Sequence, residues 1–156
     1  MSAWRRFAAS IEPAVCDGCR ACALRCTAGI ELSRHEYEAV LEYAVDPARR
    51  ADVERVTQQD KTVLLGDGVT ARACRYFDMG SDSCAVYPAR PLVCRILGFV
   101  DWMPCPIDRV ASRVPAAEAL AALRAYGREE RRPLEAWDGG EAPAVFGMAA
   151  PRGAEP

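Results

Sequence analysis

The chain has 156 residues and a mass of 17.0 kDa, the size of one domain, with a net charge of −2 and a pI near 5.5. That balance excludes a polyanion-binding surface spread over the whole molecule, and no run of eighteen apolar residues provides a membrane span, so neither nucleic acid nor a membrane is expected as a partner. Apolar residues make up 51% of the chain, but 28 of them are alanine and eight are cysteine. Burial stabilises by about 25 cal/mol per Å² of apolar surface, so an alanine-rich core is thin and a staple is expected. The N-terminal stretch carries arginines without an apolar core of signal-peptide length, which gives an expected cytoplasmic location.

In chain order, the first fifteen residues read as an amphipathic lead around Trp4, Phe7 and Ile11, closed by Pro13. The cysteine run CDGCRACALRC occupies 16–26. Ser33 followed by Glu36 is a capping box, after which Tyr37, Val40, Leu41 and Ala44 repeat at helical spacing. Asp46-Pro47 restarts a helix, with Asp as cap, Pro in the first turn, and Ala51, Val53 and Val56 as its apolar positions. A strand is expected over 61–65, a Gly-Asp-Gly turn at 66–68, and a second strand over 69–77 that contains Cys74. After a turn at 80–82, Pro88 and Pro91 forbid a long strand, and 92–99 reads as a short helix carrying Cys94. Cys105 lies between two prolines and is placed on a loop.

The alanine-rich stretch 115–131 is a strong helix former. The Gly, Pro and Ala content of 138–156 predicts a disordered tail, leaving 1–137 as the cysteine-bearing domain. The expected fold is α+β: a small, mostly helical, metal-stapled single domain with a short β-hairpin and cysteine-bearing loops.

In a reducing compartment eight thiols point to metal rather than to four structural disulfides, although an even count also fits a disulfide framework in an oxidising one. Cys16, Cys19, Cys22 and Cys26 stand as C-x2-C-x2-C-x3-C, and Gly18 allows the tight turn that lets such thiolates converge. This is the spacing of bacterial ferredoxin-type [4Fe–4S] ligation, with Thr27 where proline usually follows and no second run for a partner cluster. Cys74, Cys84, Cys94 and Cys105 follow at intervals of ten, ten and eleven residues. A single histidine, His35, beside the capping box, reads as a surface residue and disfavours a histidine-rich metal site.

The N-terminal C-x2-C-x2-C together with C-x2-Y-x2-R-P-x2-C-R downstream resembles the YkgJ-type cysteine-cluster family of zinc- or iron-chelating proteins, whose motif recurs in flagellin lysine-N-methylase. The matching positions are Cys16, Cys19 and Cys22, then Cys74, then Cys84, Tyr87, Arg90, Pro91, Cys94 and Arg95, with Cys105 closing the set, over roughly residues 13–108. The family often has adjacent cysteines where this chain has Cys22-Ala23, and Cys26, one helical turn on, is the candidate replacement.

The resemblance implies that the cysteines hold metal and that Tyr87, Arg90 and Arg95 line the cofactor. A buried arginine needs an anionic partner, which a thiolate-rich centre supplies. An all-thiolate set suits structural zinc or an iron–sulfur cluster, and the ferredoxin-like spacing favours [4Fe–4S], with zinc as the alternative cofactor. One centre or two remain open at this level. The expected function is metal binding with a redox, electron-transfer or sensing role toward a protein or redox partner. The alternatives are a structural zinc interaction module and a group-transfer enzyme related to flagellin lysine-N-methylase. No nucleophile triad or phosphate-binding glycine loop assigns a catalytic residue. Trp102 and Met103, just before Cys105, are expected to shield the centre from water.

Overall fold

The computed structural model describes residues 2–11, 19–22, 25–110, 113–141 and 144–148. Cys16 and the tail beyond 148 therefore lie outside the described residues. The fold is mixed α+β: six helices and nine short strands in four small sheets among the described residues.

Helix α1 (Ala3–Ser10) buries Trp4 and Phe7, and Ile11 beyond it is buried as well, as the apolar spacing of the lead expects. Strand β1 (Glu31–Ser33) leads into α2 (Arg34–Val45) through the expected capping box: the Glu36 amide donates to Ser33 Oγ at 3.4 Å, and the Ser33 amide donates back to Glu36 Oε2 at 2.9 Å. Asp46 does cap, its Oδ1 accepting from the Ala48 amide at 2.9 Å, but a turn over 47–49 intervenes before α3 (Arg50–Thr57).

The expected hairpin forms from β2 (Thr62–Gly66) and β3 (Val69–Arg72), with Asp67 and the flanking glycines at positive φ. The second strand does not run on to 77. At Ala73 the chain leaves the hairpin to pair with Thr27, and Phe77–Asp78 then forms β4 against β5 (Ser83–Cys84). After a 3-10 turn at Tyr87–Ala89, α4 (Leu92–Arg95) is shorter than expected, because Gly98 takes φ +91° and turns the chain into β6 (Phe99–Val100) and β7 (Met103–Pro104).

Helix α5 (Ala116–Tyr126) stops at Gly127 rather than running to 131, since β8 (Arg131–Pro133) pairs with β1 ahead of α6 (Leu134–Trp137). Within the segment expected as a tail, Phe146–Met148 forms β9 on the outer side of β3.

Two apolar clusters result. One joins α1 and α5 to Leu92, Ile96, Phe99, Val100 and Cys105, with the Trp4 ring edge-on to Tyr126 at 5.0 Å. The other gathers Leu32, Tyr37, Val40, Val53, Tyr76, Val86 and Leu134. No helix among the described residues is long and apolar enough to cross a membrane.

Candidate metal centre

The cysteines reach one region from four separate segments. Around the isolated Thr27–Ala73 bridge, the Ala28 amide donates to Arg72 O and the Cys74 amide to Cys26 O, both at 2.8 Å, so Cys26 and Cys74 stand opposite each other across the bridge. Opposed residues share a face, with Cβ atoms about 5 Å apart. Cys84 is carried into the same neighbourhood by β5, where it pairs with Phe77, and the Ala85 amide bonds Tyr76 O at 2.9 Å. Cys94 is the third residue of α4, whose first amide, on Leu92, is held by Glu36 Oε1 at 2.6 Å.

Cys19, Cys22, Cys26, Cys74, Cys84 and Cys94 line a single cavity of about 750 Å³, together with Arg20, Arg25, Tyr87, Arg90, Trp102 and Met103. Trp102 is 42% exposed, so it forms part of the rim rather than a closed shield. Cys105 is buried within the first apolar cluster, beside the cavity wall. Its loop is tied to the N-terminal run by the Arg25 guanidinium, which donates to Pro104 O at 3.1 Å.

Electrostatics separates these thiols by their surroundings. Burial pushes Cys84 up to about 12, Cys26 up to about 11, and Cys74 and Cys94 upward, and in Cys26, Cys84 and Cys94 the neighbouring thiol charges add to it. Burial also raises Cys22, with Arg25 opposing it. Cys105 goes the other way, because its sulfur accepts backbone amides from Ile107, Arg109 and Val110, the Arg109 contact at 3.3 Å. Cys74 and Cys84 likewise receive the amide two residues on, from Tyr76 and Val86. Amides aimed at sulfur stabilise thiolate and are a means by which proteins tune metal–sulfur centres.

Arg90 donates from Nε to Tyr87 O at 3.1 Å and lies over the Tyr87 ring at 3.5 Å. Both residues face the cavity. Arg95 does not line it. Its Nε donates to Arg90 O at 2.7 Å and its Nη2 to Pro88 O at 2.6 Å, so it braces the loop from behind. His35 is exposed, and the seven described cysteines are free thiols.

Two carboxylates serve the site in ways that carry no sequence signal, since neither lies beside a cysteine in the chain and the capping box of Glu36 says nothing of α4. Glu36 seats α4 and so positions Cys94. Glu135 shares a small cavity wall with Cys74, Cys84 and Cys94, and its buried Oε2 meets no hydrogen-bond partner among the described residues.

The donor set is sulfur, the cavity is wide, and guanidinium groups stand where a dianionic thiolate centre would place negative charge. Zinc or iron–sulfur chemistry fits such a set. No three Cys, His, Asp or Glu side chains among the described residues stand close enough as placed to clasp one ion, so the fit is one of donor chemistry and volume. These features define a cysteine-lined metal-binding domain. The chain belongs to the CxxCxxCC family, described as a putative zinc- or iron-chelating domain, which matches residues 15–119. No curated protein and no solved structure matches the chain.

Proposed function

We propose that the cavity holds an iron–sulfur cluster of the [4Fe–4S] type and that the protein has a redox role. The observation that carries this reading is the convergence of six cysteines from four segments on one cavity of about 750 Å³, which suits an inorganic core better than a single ion. Zinc bound by four thiolates at about 2.3 Å needs far less space. Cys26, Cys74, Cys84 and Cys94 are the proposed ligands.

When bound, such a cluster supplies one-electron transfer. Around it the chain's own residues act by placement. Arg90 and Arg25 offset thiolate charge. The amides of Tyr76 and Val86 hold sulfur lone pairs, and the half-exposed Trp102 leaves the rim open toward a redox partner.

Anaerobic purification followed by iron, zinc and acid-labile sulfide analysis, with absorbance and EPR spectra, tests this directly. Iron and sulfide in equal amounts, with broad visible absorbance that bleaches on reduction, is the expected result. A colourless protein with stoichiometric zinc that takes up no cluster on anaerobic reconstitution overturns it in favour of a structural zinc module.

A further inference from the structure

A third, separate pocket of about 190 Å³ opens behind the cysteine-bearing loop, between α1, the first turns of α2, and the segment leading through α4. Its polar wall is cationic: Arg5, His35, Arg90 and Arg95 face it, with Trp4 and small alanines as the apolar floor. The acid in the wall, Glu36, is already saturated. Its two oxygens accept from the Ser33 amide and hydroxyl, the Leu92 amide and the Tyr126 hydroxyl, at 2.6–3.0 Å. Its charge acts on Arg95 through space, but among the described residues it forms no ion pair with Arg5, Arg90 or Arg95.

Among the described residues none of these arginines has a carboxylate within hydrogen-bond distance. Arg95 reaches only backbone carbonyls, and among the described residues neither Arg90 nor Arg95 makes an ion pair with a carboxylate. Arg5 touches Glu129 only at 4.0 Å, and its buried Nε has no hydrogen-bond partner among the described residues. An unpaired buried donor beside clustered guanidiniums is costly unless an anion satisfies it.

We infer that this pocket binds a small oxyanion, a phosphate or carboxylate group, held by the guanidiniums of Arg5, Arg90 and Arg95 and the imidazole of His35. The inference does not depend on which metal the cysteine cavity takes. Because Arg90 lines both cavities, an anion here draws on the same guanidinium that faces the thiols.

Isothermal titration of the full, metal-loaded chain tests this, with inorganic phosphate and, separately, acetate as probes. Saturable binding at about 1 mM or tighter is expected for at least one probe, and the stronger of the two identifies the headgroup. Arg5→Gln and Arg95→Gln should each weaken it about tenfold, the loss of one charge-assisted hydrogen bond. Arg124→Gln, on the exposed face of α5, should leave it unchanged. If Arg95→Gln fails to fold, Arg5→Gln and His35→Ala still decide the question, since Arg5 is only half-buried and His35 is exposed. Neither probe saturating, or binding unaffected by Arg5→Gln, overturns the inference.

Discussion

The buried polar side chains among the described residues, Ser33, Glu36, Lys61 and Asp78, are each satisfied by hydrogen bonds, and those of Glu36, Lys61 and Asp78 tie separate elements together. Lys61, the chain's one lysine, donates from Nζ to Val56 O at 2.7 Å, to Gln59 Oε1 at 3.2 Å, and to Phe77 O, closing the end of α3 onto β4. Asp78 accepts from Gln59 Nε2 at 2.8 Å, the Gly80 amide at 3.0 Å and Arg55 Nη2 at 3.1 Å. Those partners, Gln59 first, hold its carboxyl well below the ordinary carboxylate range. The folded state therefore stays ionised where the unfolded chain takes up a proton. Asp78 contributes stability that is complete above the unfolded pKa of about 3.9 and is lost as pH falls below it. Urea midpoints measured between about pH 6 and pH 3 should fall with acid in the parent protein and fall less steeply in Asp78→Asn. Equal slopes would show that the depressed carboxyl does not set the acid limit.

At the scale of elements, the loop that carries Cys105 depends on one backbone conformation. Gly98 at φ +91° ends the α4 segment and lets its amide bond Met103 O at 2.8 Å, while Cys105 Cβ and Val110 pack 3.5 Å from where a side chain would begin. Space is adequate, so the cost of Gly98→Ala is the strained φ, about 1 kcal/mol or more in chemical denaturation. An unchanged midpoint would contradict this. The same element shows what local sequence conveys. The capping box of α2 was readable because Ser33 and Glu36 are three residues apart and satisfy each other. The end of the 69–77 strand was not, because Ala73 and Cys74 are drawn off by Thr27 and Cys26, almost fifty residues earlier. Likewise α5 ends at Gly127 because Arg131–Pro133 finds its partner in β1, a hundred residues away. The cysteine motif named the donor atoms. It carried no information on Glu36 seating Cys94, or on Arg95 turning away from the cavity to brace the Arg90 carbonyl.

For the whole molecule, the cysteine cavity lies where the two apolar clusters meet. Cys74 and Cys84 pack against the cluster around Tyr37 and Val40, while α4, carrying Cys94, buries Leu92, and Ile96 just after it, in the cluster with Trp4 and Tyr126. Each cluster is small and rich in alanine or aromatic edges, so a metal joining Cys26, Cys74, Cys84 and Cys94 would supply cross-links that the side-chain core lacks. A ligand present at a hundredfold its dissociation constant stabilises by about 2.7 kcal/mol, and each kcal/mol moves the unfolding midpoint of a domain this size by about 2–4 °C. Stripping the metal with a chelator should therefore lower Tm by about 5–10 °C. Cys26→Ser and Cys94→Ser should each lose metal and melt near the stripped parent, with no further fall on chelation. The stripped parent is the proper reference, because a serine hydroxyl at the buried Cys94 position adds a small cost of its own. A variant that loses its metal yet melts with the loaded parent would show that the centre serves chemistry alone and leaves the two clusters to hold each other.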